Sequence, residues 1–123
     1  MKKSVLVIGM GKFGTHLASK MQDLGHDVMI FDRDAAAVER LSTRFADARI
    51  GDFTSEDVLR EIDVSSFDVV FIMLGNDLEA SMITTLLAKR LGARYVVTRA
   101  RSTTEVALLR KVGADEVVYA DGD

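Results

Sequence analysis

At 123 residues with 16 basic and 19 acidic side chains, the chain is long enough for one domain with a real core. It is too short for a nucleotide domain plus a separate catalytic domain of usual size. A formal charge of −3 gives no general basic footprint, which excludes a broad nucleic-acid surface while leaving room for a local basic patch. The absence of cysteine removes disulfides, thiol nucleophiles and cysteine-based zinc sites.

The first predicted strand, Ser4 to Ile8, runs into Gly9-Met10-Gly11-Lys12-Phe13-Gly14. In this pattern the first glycine permits a tight turn, the second lets the backbone approach a pyrophosphate, and the third brings the following helix against its strand. The helix beginning near Lys12 presents unpaired N–H groups and the positive end of its dipole to phosphates, and Lys12 adds a full charge. That helix carries Phe13, Leu17, Met21 and Leu24 at helical spacing and stops at Gly25.

Residues 27–31 read as a second strand ending at Asp32, about twenty residues beyond the glycines, as a dinucleotide fingerprint requires. Asp34 is placed to cap a helix with Val38, Leu41 and Phe45 on one face. A short strand near residues 48–50 leads to Gly51-Asp52-Phe53-Thr54, where Thr54 is the predicted N-cap and Asp57 an acid of the first turn.

Residues 67–74 form a nearly continuous apolar run, as a central strand covered on both faces requires. Gly75-Asn76-Asp77 then turns the chain into a helix bearing Met82, Ile83, Leu86, Leu87 and Leu91, closed by Gly92. Residues 95–100 supply a fifth strand, residues 103–112 a helix ended by Gly113, and residues 116–120 a sixth strand. The alternation predicts a single α/β domain, a Rossmann-type doubly wound parallel sheet of order 3-2-1-4-5-6, with its ligand crevice at the switch between strands one and four.

Asp32 is placed to accept from both ribose hydroxyls of an adenosine and to repel a 2′-phosphate. This favours NAD-type or adenine mononucleotide ligands over NADP, a preference that Arg33 softens by pairing with phosphate. Asp52 and Phe53 follow the third strand, where an adenine would lie; Asp52 can accept from its exocyclic amine or serve as a turn acid, and Phe53 reads more as core than as a stacking partner. Asn76 and Asp77 face the crevice as ligand contacts or helix caps, and Arg99 and Arg101 can reach phosphates or an adjoining subunit. The two histidines, His16 and His26, have no companions that would complete a metal site. No hydroxyl pattern marks a nucleophile with its base and oxyanion hole. The methionines, Met73 and Met82 among them, read as core or interface filling.

These residues together resemble the RCK or KTN domain, the TrkA-N type nucleotide-binding regulator of bacterial and archaeal potassium transport. The likeness spans nearly the whole chain. It rests on Gly9-Met10-Gly11-Lys12-Phe13-Gly14, Asp32, Gly51-Asp52-Phe53-Thr54, Asn76-Asp77, Arg99-Ala100-Arg101 and Gly113-Ala114-Asp115-Glu116-Val117-Val118. The resemblance implies binding of NAD(H), ATP, ADP or AMP, with Lys12 on phosphate, Asp32 on ribose, Asp52 on the adenine side and Arg99 near the ligand. It also implies a homodimer, gathered in some relatives into a ring, and a membrane potassium channel or transporter as partner.

Residues 1–123 are accordingly expected to form one such domain, without the C-terminal second domain of many relatives. Where relatives often carry proline and glutamate this chain has Tyr119-Ala120-Asp121, so a metal or inter-subunit role does not carry over to Asp121. No apolar stretch is long enough to span a bilayer and the amino terminus has no secretory signal. The expected place is the cytoplasm, peripheral to the inner membrane through a transporter. The expected function is therefore a non-enzymatic nucleotide sensor, the alternative being the cofactor-binding module of an NAD-dependent oxidoreductase.

Overall fold

The structure is a computed structural model that describes residues 1–120, so Asp121 lies outside the described residues. Its elements are β1 (Ser4–Ile8), α1 (Lys12–Asp23), β2 (Asp27–Asp32), α2 (Ala35–Leu41), β3 (Asp47–Ile50), α3 (Glu56–Ile62), a 3-10 turn (Val64–Ser66), β4 (Val69–Ile72), α4 (Leu78–Arg90), β5 (Val96–Ala100), α5 (Thr103–Lys111) and β6 (Glu116–Tyr119). The strands form one parallel sheet in the order β3-β2-β1-β4-β5-β6. That is the predicted Rossmann-type order, and the reversal between β1 and β4 opens a crevice at their carboxyl ends.

Strand periodicity divides the core between the two faces of the sheet. Leu6 and Ile8 of β1 pack with Leu59 and Ile62 of α3 and with Leu87 and Ala88 of α4. Val5 and Val7 point the other way, toward Ala18 of α1 and Leu41 of α2. Burial on both faces explains why β1 reads as an unbroken apolar run. Val38, Leu41 and Phe45 are buried, as their spacing predicts.

Three local expectations are corrected. The fourth strand is Val69–Ile72, shorter than residues 67–74. At its start the Asp68 carboxylate accepts from the Ser4 N–H at 2.8 Å, and at its end Met73 and Leu74 turn to wall the crevice. The cap of α3 is Ser55, whose hydroxyl accepts from the Val58 N–H, because the Thr54 N–H and hydroxyl are both donated to Asp52. On α4 only part of the predicted apolar set faces inward: Leu87 is buried and Met82 and Leu91 are partly so, while Ile83 and Leu86 are exposed and Ser81, Thr84 and Thr85 are buried in their stead.

The hydroxyls of α4 point inward because they have polar partners there. Ser81 donates to the Leu74 carbonyl at 2.9 Å, Thr84 donates to the Phe53 carbonyl at 3.1 Å, and Thr85 pairs with Thr98 of β5 at 2.9 Å. Leu74 and Phe53 both line the crevice, so α4 holds two segments of its wall from behind.

Candidate functional site

The three glycines of the first turn meet three different surroundings. Gly9 has φ +100°, and a Cβ there would lie 2.7 Å from the Met73 carbonyl oxygen, so both its backbone and its space demand glycine. A Cβ on Gly14 would run into the Gly9 carbonyl oxygen; the helix rests directly on the turn. At Gly11 φ is −70°, which any residue adopts, and a Cβ would meet nothing within 4 Å. The folded chain alone gives no reason for glycine at that position.

Gly11 is the N-cap of α1 and supplies no side-chain acceptor, and the first turn holds no acid. The other α-helices are capped by side chains: Asp34 on α2, Ser55 on α3, Asp77 on α4 and Ser102 on α5. Lys12 stands at the positive end of the α1 dipole, where a cation is disfavoured unless an anion joins it. The first N–H groups of α1 thus receive no side-chain acceptor from the cap.

This turn opens into a cavity of about 340 Å³. Of the residues singled out from the sequence, Gly9, Met10, Gly11, Lys12, Phe13, Asp32, Arg33, Phe53, Asn76 and Arg99 line it. Asp32 closes the β2 side. One of its carboxylate oxygens accepts from the Met10 N–H at 2.6 Å and the other from the Asp34 N–H at 3.0 Å. A carboxylate offers about four lone-pair positions, so two acceptor sites stay available to a ligand.

Arg33 crosses the mouth, with its guanidinium 5.1 Å from the Phe53 ring centroid and an ion pair to Asp77 at 3.5 Å. Phe53 is buried and meets Phe31 edge to face at 6.2 Å, so it is a core residue, as expected, that also presents a surface to the cavity. Arg99 departs from the ordinary exposed arginine. It is 3% exposed, lies 4.7 Å from the Phe13 ring centroid, and reaches so close to the next turn that a Cβ on Gly75 would sit 2.8 Å from it. Arg101, by contrast, is exposed.

Gly14 and Asp52 do not line the cavity. Gly14 serves the packing just described. Asp52 turns back on its own loop and accepts from the Thr54 N–H at 2.9 Å and its hydroxyl at 2.6 Å. These bonds, with a smaller contribution from the nearby Arg33 charge, hold its carboxyl below the usual range. The remaining lining residues are Asp34, Ala37, Met73, Leu74, Gly75 and Asp77. Asp77, expected from the sequence to face the crevice as a ligand contact or a helix cap, caps α4 and stands in the wall. Asp34 carries a capping signal and caps α2, and its place just beyond the carboxyl end of β2 also puts it in the wall. Met73 reads from composition as core; only the exit of the chain from β4 brings it here.

Comparison with known proteins follows this geometry closely. The TrkA-N domain pattern matches residues 5–120. The chain is 35% identical over 123 residues to the Ktr system potassium uptake protein C of Bacillus subtilis, covering 100% of this chain and 56% of that protein. Among solved structures, the NAD(P)-binding domain of an exopolyphosphatase-related protein from Archaeoglobus fulgidus superposes with a TM-score of 0.87 at 25% identity, over 96% of this chain and 88% of that one. The GsuK channel bound to NAD shares the fold, with a TM-score of 0.85 at 18% identity over 96% of this chain and 21% of that one. The glycine turn, the β2 carboxylate and the strand order all fall within the matched region, and on that extent of agreement the chain belongs to the TrkA-N domain family.

Proposed function

We propose that this chain is a nucleotide-binding regulatory domain that controls potassium transport, with NAD(H) or an adenine nucleotide (ATP, ADP or AMP) as its ligand. The observation that carries the reading is Gly11: a glycine that nothing in the fold requires, at an uncapped helix start, facing a cavity opposite a carboxylate. The vacant volume where its side chain would stand fits a pyrophosphate or phosphate oxygen accepting from the first N–H groups of α1. Lys12 adds charge, Asp32 takes the ribose hydroxyls, and Phe53 with Arg33 offers a surface for the base. Asn76 and Arg99 meet the far end of a dinucleotide on the β4–β5 side.

The regulatory part rests on the potassium uptake relative and on surface chemistry. Ile83 and Leu86, 38% and 42% exposed on α4, supply apolar area for association into a homodimer or ring. A nucleotide biases such an assembly only by binding one geometry better than another. A cytoplasmic domain beneath a membrane channel or transporter is the corresponding setting, and no helix among the described residues is long and apolar enough to cross a membrane itself. The role is binding, without turnover of the nucleotide.

Calorimetric titration with NADH, NAD, ATP, ADP and AMP, run beside light scattering with and without ligand, tests both parts. Binding of at least one nucleotide with a change in assembly mass or shape is expected. No heat with any of the five overturns the reading, as does nicotinamide turnover with a supplied substrate.

A further inference from the structure

A second concavity, about 560 Å³, lies on the other side of the glycine turn, between α1 and α2. Lys12, His16 and Ser19 of α1 line it together with Arg40 of the last turn of α2 and Arg44 of the segment that follows that helix. No carboxylate among the described residues lines it. Among the described residues none of these four basic side chains has an acidic group within ion-pair distance, whereas Arg33, Arg60, Lys89, Arg90 and Arg94 all do. All four side chains are exposed, so their donors are open to an anion from solvent. Arg44 is also held in place: its guanidinium donates to the Ser19 hydroxyl and lies 5.6 Å from the Phe45 ring centroid.

The groove joins the first cavity through Met10, Gly11 and Lys12, which line both. A phosphate chain lying over the turn thus has two directions open to it. One leads toward Arg99, the other into the groove.

We propose that the α1–α2 groove is a second phosphate site, held by Arg40, Arg44 and Lys12 and distinct from the pyrophosphate position over Gly11. A phosphate dianion matches its hydroxyl and guanidinium donors, which form charge-assisted bonds in a forked geometry. That phosphate comes either from the outer end of a nucleotide triphosphate in the neighbouring cavity or from a separate phosphate-bearing anion. The first source rests on the nucleotide reading above; the second does not.

The test is calorimetry at low ionic strength, where such charges are least screened, with inorganic pyrophosphate, ADP and ATP. It compares the natural chain with the double variant R40Q/R44Q and with R40E, which keeps the Arg44 anchor; thermal midpoints establish that each is folded. Expected is a tenfold or greater loss in the variants, with ADP affinity held within twofold. If the loss appears in the ATP-to-ADP ratio, the occupant is the nucleotide's own tail. If it appears in pyrophosphate affinity at an unchanged ratio, the occupant is a separate anion. Unchanged pyrophosphate affinity together with an unchanged ratio overturns the second site and leaves nucleotide binding standing. Absence of any ADP or ATP binding overturns the nucleotide reading, and pyrophosphate then decides the groove alone.

Discussion

Replacing Gly11 by alanine separates what the fold needs from what a ligand needs. The backbone there, φ −70° and ψ −171°, suits alanine, and the added methyl meets no atom within 4 Å. Removing a glycine's freedom from the unfolded chain stabilises by about 0.4–1 kcal/mol. Alanine is a poorer N-cap than glycine by a comparable amount, so the two effects offset and stability should stay within about 1 kcal/mol. The same methyl projects into the cavity, where it keeps a phosphate from the first N–H groups of α1. Losing charge-assisted hydrogen bonds of about 1.5–3 kcal/mol corresponds to roughly ten- to a hundredfold weaker nucleotide binding. Urea unfolding and calorimetric titration on the same preparations give both quantities. A variant that binds every nucleotide as the natural chain does would refute the pyrophosphate assignment. One that unfolds several kcal/mol more easily would refute the claim that the fold leaves this space open.

Gly14→Ala should behave in the opposite way: its Cβ runs into the Gly9 carbonyl oxygen, so α1 must lift from the turn at a cost of about 3 kcal/mol or more, seen as a melting point lower by roughly 10 °C even without ligand. Asp32→Ala should also destabilise the unliganded chain, by about 0.5–1.5 kcal/mol, since it removes the acceptor of the part-buried Met10 N–H while water replaces it at the exposed Asp34 N–H; an unchanged urea midpoint would contradict the Met10 bond. Acid should destabilise the fold through three carboxylates whose pKa values lie below the ordinary range. Asp52 is held down by the Thr54 bonds and Asp68 by the Ser4 N–H. For Asp115 burial pushes upward but is outweighed by Lys89 and the Val96 N–H. Because folding lowers these values, their stabilisation is complete above the unfolded carboxylate range near pH 4 and is lost as pH falls through the folded values. Asp115→Asn should flatten that acid limb in a pH series of melting curves, and a limb of unchanged slope would remove Asp115 from the account.

Strand order was legible in the sequence because it follows from local rules. Each apolar run and each glycine stop marks an element, and parallel strands joined by helices admit few right-handed arrangements. The glycine turn and Asp32 were legible for the same reason, since a strand end, a turn and a helix start are set within a few residues. The inward face of α4 was legible only in part. Its apolar spacing points to Met82, Ile83, Leu86, Leu87 and Leu91, of which Ile83 and Leu86 are exposed, whereas the burial of Ser81, Thr84 and Thr85 depends on the Leu74 and Phe53 carbonyls and the Thr98 hydroxyl, which only assembly brings near.

The same distinction governs the site. The sequence by itself determined a helix that starts on a glycine turn without a side-chain cap and a carboxylate at the end of β2, because short-range backbone geometry fixes both. Tertiary structure alone buried Arg99 against Phe13 and set Arg40 and Arg44 across a groove from Lys12 and His16. Those outcomes depend on how helices pack on a twisted sheet and on which distant polar groups meet. No local pattern encodes that.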